Sequence, residues 1–229
     1  MELISGCSKV TSEEEFYCKA DEYWKNIPST LNGMLGGYGH ISQIDIRGSY
    51  TFLKRFLEGP GARVKPNRAL DCGAGIGRVA KHLLLPIFKT VDLAELNSNF
   101  LEQARTYLGD ASSRVGNYYC CGLQDLKLKE KSYDLIWVQW VTGHLTDAHF
   151  VTFLNECKSA LRKGGLIIIK DNVAILEVEL DSDDSSVTRN PEELRHIYNT
   201  ANMKILFEQK QTHFPPELYN VYMTALESK

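Results

Sequence analysis

The segment Ala69-Leu-Asp-Cys-Gly-Ala-Gly-Ile-Gly-Arg78 runs from a short apolar stretch into three glycines spaced two apart. Glycine at 73, 75 and 77 lets the backbone pass close to a ligand without a Cβ clash. The helix that follows offers free N–H groups at its start. A dinucleotide fingerprint leaves two residues before its third glycine, and a phosphate loop ends in Gly-Lys-Ser/Thr. Neither occurs here, so the turn is not built to hold a pyrophosphate. It is instead flanked by two acids. Asp71 precedes it, and Glu95 lies 18 residues after Gly77, at the end of the next apolar stretch.

Other groups further along could also act on a ligand. Glu177-Val-Glu-Leu-Asp-Ser-Asp-Asp-Ser-Ser186 carries five acids in ten residues. It reads either as a solvated loop or as an anionic funnel for a cationic substrate. Asn172 offers an amide just beyond a strongly apolar stretch, and His144 offers an imidazole that can move a proton. Trp140 offers a flat apolar face.

The two acids around G-x-G-x-G, in a strand–helix–strand frame, resemble class I methyltransferases that use S-adenosylmethionine. That likeness implies ribose binding by Glu95. It implies that Gly73 and Gly75 pass close to the methionine part, with Trp24 and Arg78 holding its end. Leu123 and Gln124 would face the adenine, and Gln139 would lie beside the reacting methyl. Tyr23-Trp24, Leu35-Gly-Gly-Tyr-Gly-His-Ile41, Val138-Gln-Trp-Val-Thr-Gly-His-Leu-Thr-Asp147, Lys170-Asp-Asn172 and Asp184-Ser-Ser186 are similar to segments of the protein N-terminal methyltransferases. Members of that family methylate the α-amine of exposed Xaa-Pro-Lys or Xaa-Pro-Arg termini. The resemblance runs over about residues 12 to 226. It implies His144 and Asp184 as acid/base or orienting groups and Asn172 as a contact to the first peptide carbonyl. It further implies Asp181, Asp184 and Ser186 around the third peptide residue, and Leu35, Gly36, Ile41, Trp140 and Tyr219 as walls of the peptide channel. A nuclear and cytoplasmic protein acting on protein substrates is the corresponding expectation. Glu95 stands where an Asp is common. A small-molecule amine methyltransferase and a silent binding module of the same fold are the rival readings.

These residues need a frame, and the chain supplies one. At 229 residues it is long enough for one domain, and 43% hydrophobic with 24% charged residues excludes disorder and low complexity. Its net charge of −3 is a poor match for a nucleic-acid backbone. There is no apolar run of about 20 residues for a membrane span and no secretory leader pattern. The six cysteines have neither disulfide nor zinc spacing and read as buried reduced thiols, so no metal is expected.

Thr11-x-x-Glu14 and Ser12-x-x-Glu15 both predict a helix start, with Pro28 as a stop. A second helix is expected over Ser42–Glu58, so residues 1–60 read as a helical N-terminal extension with a glycine-rich loop. Over 61–229 strands are expected at 68–72, 90–95, 115–121, 133–141 and 166–170, with two more in 204–227. Helices are expected at 77–85, 98–108 and 147–161, with another starting at Asn190-Pro191. Alternating strands and helices imply a parallel, doubly wound α/β sheet, and the resemblance implies that it is of Rossmann-like class I methyltransferase type, seven-stranded, with helices on both faces.

Overall fold

The computed structural model describes residues 2–229. Helix α1 (Glu13–Asn26) starts where the Ser12 hydroxyl accepts the Glu15 N–H, so the second capping pair sets the boundary. Three glutamates in the first turn meet the positive end of the helix dipole. A single turn, α2 (Leu31–Met34), and a 3₁₀ turn at Gly39–Ile41 lead into α3 (Ser42–Leu57).

The sheet strands are β1 (Arg68–Cys72), β2 (Thr90–Glu95), β3 (Val115–Cys120), β4 (Tyr133–Gln139) and β5 (Leu161–Val173). A short hairpin, β6 (Glu179–Asp181) and β7 (Ser186–Thr188), stands apart, and β8 (Met203–Lys210) and β9 (Asn220–Ser228) complete the main sheet. Helices α4 (Ser98–Leu108), α5 (Asp147–Ala160) and α6 (Pro191–Thr200) join them, with Asn190 capping α6 through the Glu193 N–H. The seven-stranded order is β3-β2-β1-β4-β5-β9-β8.

The sheet is mixed where the alternation implied an all-parallel one. β1 to β5 pair in parallel, but β9 is antiparallel to both β5 and β8. A parallel return needs a crossover of a dozen or more residues. Only residues 211–219 separate β8 from β9, too few for a crossover, so β9 folds back into the gap beside β5. Other differences are local: β5 runs over Leu161–Val173, wider than the expected 166–170 and taking residue 161 from the expected helix. Residues 80–84 form a π turn within the expected helix, and the acidic segment is not a plain loop but the β6–β7 hairpin.

Side chains from the central strands divide by alternation. Leu135, Trp137, Leu166 and Ile168 enter the core under α3 and α4, while Ile136, Val138, Ile167 and Ile169 enter the core under α5 and α6. Phe52, Leu53 and Phe56 of α3 belong to the first core, so the N-terminal helices are packed into the same body as the sheet. All six cysteines are free, but only Cys7, Cys72 and Cys157 are buried; Cys18 and Cys120 are exposed, since they fall on outward positions of α1 and β3. Among the described residues no helix is long and apolar enough to cross a membrane.

A fully buried charge cluster ties α3 to the strand ends. Asp45 accepts from Arg78 Nη1 at 2.7 Å and from the Gln139 amide at 3.0 Å, and its Oδ1 lies 2.5 Å from Lys170 Nζ. Lys170 also donates to Ser49 Oγ at 2.9 Å and Gln211 Oε1 at 2.7 Å. Burial pushes the Lys170 ammonium down to about 8 against the pull of Asp45. Burial acts upward on Asp45, but Lys170 and Arg78 outweigh it and hold its carboxyl below the usual range.

Asp45→Asn leaves two buried cations without their counter-charge. We expect it to cost about 3–5 kcal/mol, which lowers the melting temperature by roughly 10 °C at this size. Glu15→Gln, which breaks the exposed Lys19–Glu15 pair, should leave the melting temperature essentially unchanged. Thermal melts of the two variants check both.

Candidate active site

The carboxyl ends of the parallel strands carry the ligand-facing residues. The strand order reverses between β1 and β4, and α/β sheets bind ligands in the crevice at such a point. A cavity of about 600 Å³ lies there. It is lined by Gly73, Gly75 and Arg78 after β1, Glu95 at the end of β2, Leu123 and Gln124 after β3, Gln139 and Trp140 at the end of β4, and Trp24 of α1.

Gly73 and Gly75 adopt φ of +67° and +53°. A Cβ at Gly73 would stand 2.7 Å from Val141, and one at Gly75 would stand 2.6 Å from Met34 Sδ. Only glycine fits this floor. Glu95 fastens the turn: its two carboxylate oxygens accept the Gly75 and Asn97 N–H groups, each at 2.9 Å. Burial raises its carboxyl, and those same N–H groups oppose the rise. Asp71 points the other way. It is buried, accepts the Ala80 N–H at 2.9 Å, and burial pushes its carboxyl up to about 7. It therefore starts the helix and does not face a ligand.

A second cavity, of about 230 Å³, opens beside the first. It gathers Leu35, Ile41, Asn172, Asp184, Ser186 and Tyr219, together with Tyr38, Phe214 and Leu218, which sequence reasoning missed. Tyr38 sits within the glycine-rich loop and Phe214 precedes Pro215-Pro216, and neither neighbourhood marks a ligand wall by residue type. Gly36 and Asp181 are not among the lining residues. Gly36 turns the loop at φ +53°, and Asp181 is exposed on the hairpin, where its Oδ1 accepts the Asp183 N–H at 2.9 Å. Tyr219 donates to Glu179 at 2.7 Å, which pushes its hydroxyl up to about 12 and closes the cavity against the hairpin.

Trp24, Met34, Trp140 and His144 line both cavities. The Trp24 indole N–H donates to His144 Nε2 at 3.0 Å, and His144 Nδ1 lies 3.3 Å from the Ser185 carbonyl oxygen. This pattern assigns the ring proton to Nδ1 and the lone pair to Nε2. Asp184 Oδ2 is 3.9 Å from Nε2, and its Oδ1 is buried with no hydrogen-bond partner among the described residues. Trp140 and Ser185, both beside this point, hold left-handed φ of +52° and +53°. Such strain in non-glycine residues gathers at functional sites. The Trp140 N–H is anchored on the Lys170 carbonyl at 3.0 Å, and its ring stacks on Phe214 at 6.4 Å.

Three of the cofactor candidates have structural duties as well. Gln139 accepts from Trp137 Nε1 and donates to Asp45, so its amide is spent inside the charge cluster. Arg78 donates to Asp45 and Ser42, but its fork has five N–H groups, more than these two acceptors use. Glu95 likewise has lone pairs beyond the two that are engaged.

A cavity over the switch point of this sheet, floored by glycines with no phosphate cradle, defines an S-adenosylmethionine-dependent methyltransferase of class I. The residues present fit that cofactor: Glu95 can accept ribose hydroxyls, Arg78 can meet a carboxylate, and Leu123 gives an apolar wall for a flat ring. Comparison with known proteins narrows the class. Residues 12–227 match the family of AdoMet dependent proline di-methyltransferases. The chain is 54% identical over 218 residues to the N-terminal Xaa-Pro-Lys N-methyltransferase 1 of Mus musculus and to that of Homo sapiens, covering 95% of this chain and 97% of each relative. A SAM-dependent methyltransferase from Leishmania major superposes with a TM-score of 0.88 at 36% identity, over 96% of this chain and 87% of that one. A Burkholderia thailandensis 1,6-didemethyltoxoflavin-N1-methyltransferase with bound S-adenosylhomocysteine, 15% identical, shares the fold with a TM-score of 0.74 over 97% of this chain and 93% of that one. The chain belongs to the AdoMet dependent proline di-methyltransferase family.

Glu95→Ala removes an acceptor of charge-assisted bonds worth about 1.5–3 kcal/mol each, and it also frees the Gly75 turn. S-adenosylmethionine affinity by calorimetric titration should fall by about tenfold or more. Asp71 gives a separate pH signature. Its folded carboxyl, at about 7, lies above the ordinary 3.8. The stability it contributes is therefore full below about pH 4 and lost as pH rises through about 7. Asp71→Asn removes that loss, so its melting temperature relative to the parent should rise between about pH 5 and pH 8. A constant difference across that range would place the Asp71 proton elsewhere.

Proposed function

We propose that this methyltransferase acts on the α-amino group of exposed protein N-termini bearing Xaa-Pro-Lys or Xaa-Pro-Arg. One observation carries the reading. The cofactor-type cavity and the second, acid-rimmed cavity meet at Trp24, Met34, Trp140 and His144, with the unpaired Asp184 Oδ1 beside them. The relatives named for this substrate motif support it. On this reading residues 1–60 form the substrate-facing extension with the glycine-rich loop, and residues 61–229 form the catalytic domain. We further infer action in the nucleus and cytoplasm, on the strength of the family resemblance.

S-adenosylmethionine, when bound, supplies an electrophilic methyl on a sulfonium. The incoming amine must be neutral to attack it, and a free α-amine, with a pKa of about 7.7–8.0, needs only modest help near neutral pH. Most of the acceleration then comes from alignment and exclusion of water. Leu35, Ile41 and Tyr219 wall the channel, and Trp140 receives the proline ring at its floor. The Asn172 amide donates to the carbonyl of the first residue and fixes the direction of the amine. Asp184, with its free Oδ1, faces that amine and receives its proton, and His144, whose Nε2 lone pair is engaged by the Trp24 N–H, is the orienting group. Asp184, Ser186 and Asp181 on the hairpin present negative and polar groups to the third residue, and the adjoining acids raise the local concentration of a cationic peptide.

Initial rates with peptide variants and Asn172 variants test this placement. Changing the third peptide residue from Lys to Glu should nearly abolish methylation, while Arg should be tolerated. Asn172→Lys sets a cation beside the sulfonium and the amine. Close like charges cost on the order of 4 kcal/mol at an effective dielectric of about 20, so activity should fall by roughly three orders of magnitude. Asn172→Ala should be milder, and neither variant should shift the melting temperature much. Equal rates for the Lys and Glu peptides would turn the hairpin away from the substrate.

A further inference from the structure

The β6–β7 hairpin pairs only three residues on each strand. A two-stranded ribbon of this size is marginal by itself, and this one also brings Glu177, Glu179, Asp181, Asp183 and Asp184 together in mutual repulsion. Something outside the hairpin must hold it. The structure points to residues 3–10. Ile4, Cys7 and Val10 are buried in a small apolar core of their own, separate from the two cores of the sheet, with Phe16 of α1 and Val187 of β7. Val178 and Leu180, from the β6 side, pack against the same core. The contact is close: a Cβ on Gly6 would stand 3.3 Å from Val178.

The same residues are also bonded to the loop that carries His144. The Ser5 N–H donates to Asp147 Oδ2 at 2.7 Å, and the Asp147 N–H donates to the Leu3 carbonyl at 3.1 Å. Asp147 Oδ1 accepts from buried Arg189, just past β7, whose other N–H groups reach the Thr142 and Leu145 carbonyls at 3.0 and 2.6 Å. Those carbonyls flank His144. On the other side, a Cβ at Gly143 would lie 2.8 Å from the Val187 carbonyl, so the loop sits directly on β7.

We propose that residues 3–10 are a strap that sets the distance and angle of the acidic hairpin to the His144 loop, and thereby sets the preference for a cation at the third substrate residue. The inference rests on the peptide reading above. Its residues do not touch the substrate. Ile4, Ser5 and Val178 are positioning residues, acting through Asp184 and Ser186 on one side and through Asp147 and Arg189 on the other.

The test uses the full chain with Ile4→Ala, Val178→Ala and the double variant. Each is measured with Xaa-Pro-Lys and Xaa-Pro-Gln peptides, alongside S-adenosylhomocysteine affinity and melting temperature. Each single variant should lower the Lys:Gln ratio of kcat/KM by at least about five-fold, chiefly through KM for the Lys peptide. The double variant should lower the ratio by less than the product of the two single effects, since both residues belong to one small apolar core. S-adenosylhomocysteine affinity should stay within about two-fold. If Ile4→Ala does not fold, Ile4→Val, which removes a single methyl group, makes the same comparison. A ratio that stays constant while the melting temperature or both rates fall together would overturn the strap and leave the peptide reading intact. Equal kcat/KM for the two peptides in the parent protein would instead overturn the peptide reading, and the strap with it.

Discussion

An aspartate with no solvent exposure has to be neutralised from within, and Asp45 is met by Lys170, Arg78 and Gln139 at once. Each partner comes from a different place at the carboxyl edge of the sheet: β5, the turn after β1, and β4. The charge on one face of α3 therefore fixes the mutual position of three strand ends beside the cavities. It also locks the N-terminal helices, with the glycine-rich loop, over the catalytic edge. A buried ion cluster of this kind adds little net stability over a well-packed apolar replacement. What it does here is hold one geometry, because any other arrangement leaves a charge without its partner.

The acids divide into two populations with different physical duties. Asp71 and Glu95 are short of water and spent on backbone N–H groups, and burial raises both. They hold the glycine turn in shape, and Glu95 still has acceptor capacity toward a ligand. The hairpin acids lie at the surface, where an individual charge is worth little but the sum attracts cations and repels anions. Asp184 stands between these groups, with one oxygen near His144 and the other buried without a partner. An unpaired buried acceptor is costly, and a ligand that donates to it removes the cost.

Trp24 and Trp140 show how aromatic residues divide a reaction space. Both line the two cavities, so they form part of the boundary at which the cavities meet. The Trp24 N–H fixes which nitrogen of His144 carries its proton, and Trp140 is held in a strained backbone conformation by its bond to Lys170. Methyl transfer between rigid walls draws on alignment far more than on proton chemistry.

Local rules determined much from the sequence alone. Glycine spacing without a phosphate-binding lysine excluded nucleotide cradles, and the apolar strand stretches with their helix caps located β1, β2 and α4 at their observed boundaries. The place of Glu95 at the end of β2 was legible, but its bond to the Gly75 N–H was not. Leu35, Ile41, Trp140, Asn172, Asp184, Ser186 and Tyr219 were chosen by resemblance, and they converge on one cavity. Only tertiary structure decided the rest. Lys170 and Asp45 are 125 residues apart, and neither type nor spacing reveals that each neutralises the other. Gln139 lines the first cavity, but that its amide is engaged inside the cluster is not legible in the sequence. The antiparallel β9 depends on a loop too short for a crossover, and the β6–β7 hairpin packs against Ile4, Cys7 and Val10, remote in the chain. The physical reason is common to all of these. Caps, turns and periodicity act over a few residues, whereas charge compensation and packing act between surfaces that meet only after the chain has folded.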